Sequence, residues 1–178
     1  MIQDLFTRKV IPLFQFKKFL LATFYISSSF AFLLLIPSAT ETYEPYIILG
    51  SFILVWINDS FAYLTGKNFG RQKLFERISP KKTVEGFLGG LLFSCVASYF
   101  IAKFTETLSF SSWLVLAIII SSIGTIGDLI QSKFKRQANV KDSGSILPGH
   151  GGIFDRLDSM IFSAPFIYLF LKILHYVS

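Results

Sequence analysis

Four aspartates have the type and spacing to do chemistry: Asp59, Asp128, Asp155 and Asp158. Asp155 and Asp158 are three apart, so on a helix they share a face. Asp128 and Ser132 are four apart and would share another. Carboxylates grouped this way suit a hard cation such as Mg2+, which takes oxygen ligands and leaves positions for water and phosphate oxygens. No Cys/His grouping accompanies them, which argues against zinc. The plainer alternative is that Asp155 and Asp158 pair with Arg156 and nearby lysines as ordinary interfacial charges.

Basic residues and glycines surround these acids. The run from Ser132 to Asp158 is the most polar long stretch of the chain and includes Lys133, Lys135, Arg136, Lys141 and Arg156. Lys135, Arg136 and Lys141 next to metal-binding carboxylates make a polyphosphate a candidate ligand, since cations neutralise phosphate oxygens that a metal bridges. Leu147-Pro148-Gly149-His150-Gly151-Gly152 reads as a sharp turn with exposed backbone amides. Such a turn can cradle phosphate, or it can simply return the chain to a membrane. His150 is either an acid–base candidate or a hydrogen-bonded turn residue.

Two more clusters carry polar groups. In Ile78-Ser79-Pro80-Lys81-Lys82-Thr83-Val84-Glu85-Gly86, Lys81 and Lys82 are mobile point charges for phosphate. Thr83 is placed to cap the following helix, and Gly86, Gly89 and Gly90 give that helix a small-residue face for close packing. Positive charge on one side of a membrane explains the lysines equally well. Asn58-Asp59 with Ala62-Tyr63 forms a polar stripe in an apolar segment. It marks either a site or a buried pair that joins helices.

The elements that position these residues are membrane helices. The 178 residues are 52% hydrophobic, 17% aromatic and 16% charged, with mean hydropathy +0.58; soluble domains carry about 25% charged residues. Five segments are long enough to cross a bilayer core of about 30 Å: about Phe16 to Ile36, Pro45 to Leu64, Gly86 to Phe104, Phe110 to Ile130 and Ser159 to Val177. None alternates with the period of a barrel strand. The predicted fold is therefore all-α, a polytopic membrane helix bundle in one domain over 1–178. The run before Pro37 is too long for a signal-peptide core and lacks a cleavage pattern, so it is read as an uncleaved helix. The lone Cys95 rules out a disulfide within one chain and reads as a small buried residue.

Loop charge sets the orientation. With the N-terminus in the cytoplasm, all Lys and Arg but Lys103 and Lys172 fall on the inner side, as the positive-inside bias requires. The same bias accounts for the net charge of +6 without nucleic acid as a partner. Asp59, Asp128, Asp155 and Asp158 then converge on one cytoplasmic level, with Asp128 ending the fourth helix. Ionisable groups at that depth are functional candidates.

The stretch Ser132-Lys133-Phe134-Lys135-Arg136, then Lys141-Asp142-Ser143-Gly144, then Leu147 through Asp158, resembles the signature of the phosphatidate cytidylyltransferase (CDP-diacylglycerol synthase) family. Asn58-Asp59-Ser60-Phe61-Ala62-Tyr63 through Gly66 and Gly70, and Ile78 through Gly86, are similar to two further stretches of that family. The resemblance implies that CTP and phosphatidate react to give CDP-diacylglycerol and pyrophosphate at the cytoplasmic face of the inner membrane. It implies that Asp128 and Asp155 hold Mg2+, with a second cation as a further option, and that Asp128, Asp155, Asp158 and Lys141 form the catalytic set. It places Asn58, Asp59, Ser79, Lys81, Lys82, Thr83, Ser132, Lys135, Arg136, His150, Gly151, Gly152 and Arg156 at the substrates. Family members usually have further N-terminal helices, so this chain is expected to be a short form, a fragment or half of a homodimeric arrangement. The remaining alternatives are a related CTP-dependent enzyme acting on another lipid phosphate or alcohol, an inactive membrane partner, and a transporter.

Overall fold

A computed structural model of the chain describes residues 15–76, 78–137, 140 and 154–177, with the side chains of 15–22, 137, 154–156 and 177 outside the description. Most of the described residues lie in five long helices: α1 (Gln15–Leu35), α2 (Pro45–Phe69), α3 (Val84–Thr105), α4 (Phe110–Gln137) and α5 (Phe154–Val177). The all-α membrane bundle read from the sequence is the fold observed. Four of the helices, α2 to α5, are long and apolar enough to cross a membrane. The described apolar part of the first reaches from Thr23 to Ser38 and includes a 3-10 turn over Ile36–Ser38.

The ends of these helices follow local chemistry. Pro45 begins α2, where its missing N–H costs nothing and its fixed φ suits the first turn. Thr83 caps α3: its Oγ1 accepts from the Gly86 N–H at 3.1 Å, satisfying one of the donors a helix start leaves open. Glu106 ends α3 in the left-handed conformation. Within the apolar helices, hydroxyls fold back on their own carbonyls. Ser51 donates to Ile47 O at 2.8 Å, Thr125 to Ser121 O at 2.7 Å and Ser163 to Ser159 O at 2.6 Å. Such pairing lets Ser and Thr sit in a membrane helix without a stranded polar group.

The helices do not pack simply in chain order. α2 packs most extensively on α3, α4 on both α3 and α5, and α1 on α5 rather than on its neighbour α2. The core lies where they meet, around Ile47, Leu54, Trp113, Leu116, Ile120, Met160, Ile167 and Leu171. Trp113, fully buried, fills the space above Gly50. Cys95 is half-buried rather than buried, in the apolar surface between α3 and α4.

Two features differ from the sequence reading. First, α4 continues past Ile130 to Gln137, so Asp128 lies inside it and Ser132, Lys135 and Arg136 are helical rather than part of a loop. The basic side chains Lys135 and Arg136 occupy its last turn, where they complement the negative end of the helix dipole. Second, the polar link between α2 and α3 is a small antiparallel hairpin, β1 (Lys73–Phe75) with β2 (Ser79–Thr83). It lacks apolar alternation and is fastened by polar groups instead. The Gln72 N–H donates to both carboxylate oxygens of Glu85, at 3.1 and 3.2 Å. The Val84 N–H donates to Gln72 O at 2.9 Å.

Candidate active site

The site is built where three elements bring side chains to one end of the bundle. From α4 come Asp128, Ser132 and Lys135, at positions i, i+4 and i+7, which share a helix face. The Ser132 hydroxyl donates to Asp128 Oδ1 at 3.3 Å, and Lys135 lies within electrostatic range of Asp128. From α5 comes Asp158, buried, with its Oδ1 accepting from the Ser159 N–H at 2.7 Å. The Asp128 and Asp158 carboxyl groups lie within hydrogen-bonding reach of each other. From the hairpin comes Lys82, whose Nζ pairs with Asp128 Oδ2.

Why the two carboxyls meet is a matter of glycine. A Cβ on Gly127 would sit inside the Phe162 side chain, 3.0 Å from its Cγ, and 3.2 Å from the Asp158 carbonyl oxygen. On Gly124 a Cβ would lie 3.3 Å from both Ser159 Cβ and Ser163 Oγ. With hydrogen at these positions, α4 and α5 approach closely just before Asp128 and just after Asp158. The sequence carries the signal, two glycines three apart next to an aspartate.

Lys82 reaches Asp128 because β2 is irregular. Lys73 pairs with Thr83 and Phe75 with Ser79, so three residues of β1 oppose five of β2. The extra length bulges around Pro80, Lys81 and Lys82; bulges redirect side chains, and Pro cannot serve the ladder as a donor. Lys81 is exposed while Lys82 is half-buried against α4. The two lysines, paired in the sequence reading, are therefore separated. Ser79 is half-buried in the same strand, and Thr83 is buried as the α3 cap.

The α2 residues divide as well. Asn58 is buried against α3, where a Cβ on Gly90 would lie 2.7 Å from its carbonyl oxygen and 2.8 Å from Oδ1. Its Nδ2 donates to Asp59 Oδ1 at 3.4 Å. Asp59 itself is exposed, within electrostatic range of Lys82, Asp128 and Asp158. Asn58 thus lies in the helix contact and Asp59 at the edge of the site. Tyr25 of α1, which nothing in the sequence singled out, also approaches. Its ring centroid is 5.9 Å from that of Phe162, and the residue lies within electrostatic range of Asp158.

Lys141, His150, Gly151 and Gly152 lie outside the described residues, as do the side chains of Asp155 and Arg156. The Asp155 backbone belongs to α5, one turn before Asp158. Arg136 is exposed near the end of α4.

A lysine-neutralised carboxylate pair at the polar end of an apolar bundle is a place for anions and hard cations. A family model described as "Cytidylyltransferase family" matches residues 2–174 of the chain. The chain belongs to the cytidylyltransferase family. The phosphatidate cytidylyltransferase of Staphylococcus haemolyticus (strain JCSC1435) is 45% identical over 135 residues, 75% of this chain and 52% of the relative. That of Staphylococcus aureus (strain COL) is 46% identical over 128 residues, 71% of this chain and 49% of the relative. The chain thus spans about half the length of these curated relatives. The cytidylyltransferase membership agrees with the resemblance carried by the Ser132–Asp158 signature.

Proposed function

We propose that this chain transfers a cytidylyl group from CTP to phosphatidate, giving CDP-diacylglycerol and pyrophosphate. The observation that supports it most is the convergence of Lys82, Asp128 and Asp158 from a hairpin and two helices. The names of the 45–46% identical relatives supply the substrates.

The reaction needs no protein nucleophile. A phosphate oxygen of phosphatidate attacks the α-phosphorus of CTP. The bond from that phosphorus to the bridging oxygen breaks, and pyrophosphate leaves with the electron pair. The protein's work is positioning and charge neutralisation. Lys82 and Lys135 are the described cations beside the carboxyl pair, suited to hold phosphate oxygens as point charges. Ser132 keeps Asp128 oriented through its hydrogen bond.

The donor set also suits Mg2+. Among the described residues, no three His, Cys, Asp or Glu side chains are grouped as a complete metal site. Asp128 and Asp158, however, present adjoining oxygen donors with Asp59 near by, and a cation of this kind needs only one or two carboxylates alongside substrate phosphates. Asp128 and Asp158 would hold it, with Asp155 one turn earlier on α5. Once bound, it would offset the charge on the CTP phosphates. The loop-charge bias supports a cytoplasmic position for this end of the bundle in the cell membrane. There CTP arrives from water and phosphatidate from the leaflet.

The test is direct. Purified chain in detergent, given CTP labelled in the cytidine, phosphatidate and Mg2+, should yield label in the lipid extract and release pyrophosphate. Folded protein that yields no lipid-borne label with Mg2+ or Mn2+ refutes the proposal. Label that appears only when phosphatidate is replaced by a lipid alcohol reassigns the acceptor.

A further inference from the structure

We propose that Lys82 is an exchangeable counter-cation: its ammonium competes with a divalent cation for Asp128 and is released to the substrate phosphates when that cation binds. The inference deepens the proposed function and rests on its reading of Asp128 as a cation ligand.

Lys82 is rooted in a tightly held strand end. Its neighbour Thr83 is buried, caps α3 and is enclosed by Gly66, Gly70 and Gly86, where any Cβ would come within 3.0 Å of a Thr83 side-chain atom. Lys73 pairs with Thr83 across the hairpin, and Glu85 clasps the Gln72 amide. The main chain is therefore held immediately after Lys82, at Thr83. The Lys82 side chain is not confined in the same way. It keeps 29% of its surface exposed and Asp128 keeps 27%, so the pair lies at a solvent-facing edge and can part. Lysine's flexible stem and point charge suit a group with two positions better than a planar guanidinium does.

The carboxylates give the exchange its direction. Asp128 adjoins Asp158, and Asp59 lies within electrostatic range of both. The negative charge of Asp128 and Asp158, with Asp59 near by, attracts a divalent cation, and the ammonium groups of Lys82 and Lys135 oppose it. Lys82 holds one oxygen of the Asp128 carboxylate, Oδ2, and so occupies a donor that a cation at Asp128 could otherwise take. Displaced, the ammonium remains tethered to β2 near Asp128, and its point charge would be available to phosphate oxygens. Lys81, exposed on the other side of the bulge, has no such choice.

The consequence is a measurable competition. A ligand whose site is free only a fraction of the time binds more weakly by that fraction. If Lys82 occupies Asp128 for about nine-tenths of the time, removing it should tighten divalent binding about tenfold. The probe is Mn2+ alone, without CTP or lipid, titrated into the full chain in detergent and read by the loss of the free-ion paramagnetic signal. Lys82→Met is expected to lower the Mn2+ Kd about tenfold, Lys82→Arg to leave it at the parent value or above, and Asp128→Asn to weaken binding strongly. Lys82→Gln serves in place of Lys82→Met if the latter loses its helical content. An unchanged or higher Kd in Lys82→Met, equal tightening in Lys82→Arg, or binding indifferent to Asp128→Asn overturns the inference. Because the titration contains no substrate, it can succeed where the cytidylyl-transfer assay fails, and the reverse.

Discussion

Replacing Gly127 with alanine tests whether helix approach sets the site geometry. The added Cβ would meet Phe162 Cγ at 3.0 Å and the Asp158 carbonyl oxygen at 3.2 Å, with the Phe162 Cβ nearer still. Ordinary carbon contacts settle at about 3.5–4.0 Å, so α4 and α5 must part by an amount on the order of 1 Å. The nearest obstruction is the root of a side chain packed between helices, which cannot swing away. Overpacking of this kind costs about 1–3 kcal/mol. Replacing glycine in a helix interior recovers about 1 kcal/mol through propensity. The net loss of stability should be small, about 0–2 kcal/mol on these two figures. The chemistry should suffer more, because Asp128 follows Gly127 directly and its partner Asp158 is on the helix being displaced. A misplacement of about 1 Å can cost about a hundredfold in rate. Gly124→Ala is the comparison: its contacts begin at 3.3 Å, with small serines, so a shift of tenths of an ångström and a loss within about fivefold are expected. Both variants are assayed for transfer of labelled cytidylyl to phosphatidate and for thermal unfolding in the same detergent. Gly127→Ala retaining the parent rate within about twofold, or Gly124→Ala losing as much, would refute the argument.

Two further substitutions separate the fastening of the hairpin from the stability of the core. Thr83→Ala removes the α3 cap and should cost about 1 kcal/mol, with Thr83→Ser close to the parent. If the cap also roots Lys82, the alanine variant should raise the KM for CTP more than it lowers stability would explain, as read by steady-state kinetics beside thermal melts. Trp113→Ala empties the fully buried site over Gly50 and should destabilise by about 3–5 kcal/mol. At a temperature where the variant remains folded, its kcat should stay near the parent's, since none of the described site residues contacts the indole. A large fall in kcat at full foldedness would show that the two ends of the bundle are coupled.

The sequence disclosed the bundle because its signals are one-dimensional. Apolar length located the helices, Pro45 and Thr83 marked two starts, and the depth of Asp59, Asp128 and Asp158 followed from the spans. What it hid depends on contacts between segments. Hydropathy falls after Ile130, yet the helix continues to Gln137, because Gln, Lys and Arg are good helix formers whatever their polarity. The hairpin escaped notice because Ser79-Pro80-Lys81-Lys82-Thr83 has no apolar alternation, and Glu85 and Gln72 hold it from outside the strands. The role of Gly124 and Gly127 depends on α5, which packs against them from a distant part of the chain. Asn58 and Asp59 are adjacent in sequence and share one dipeptide signal, but the turn of α2 buries the first against Gly90 and leaves the second exposed at the edge of the site.

The arrangement explains why charge is tolerated at the end of so apolar a bundle. An isolated carboxylate within a membrane helix is costly, and such residues persist when they pair or face a wet cavity. Here Asp128 is inside α4 and Asp158 is buried on α5, so neither escapes by lying in a loop. Their repulsion would favour separating the helices. Close packing at Gly124 and Gly127 instead fixes them together, so relief comes from a proton shared between them or from positive charge. Lys135 follows on the same helix, and Lys82 arrives from the hairpin. A hairpin between two membrane helices serves no purpose in crossing the membrane, and a shorter turn would join α2 to α3. Its bulge, its clasp at Glu85 and its anchor at Thr83 make sense as a support that delivers one ammonium to a carboxyl pair that the helices alone leave undercompensated.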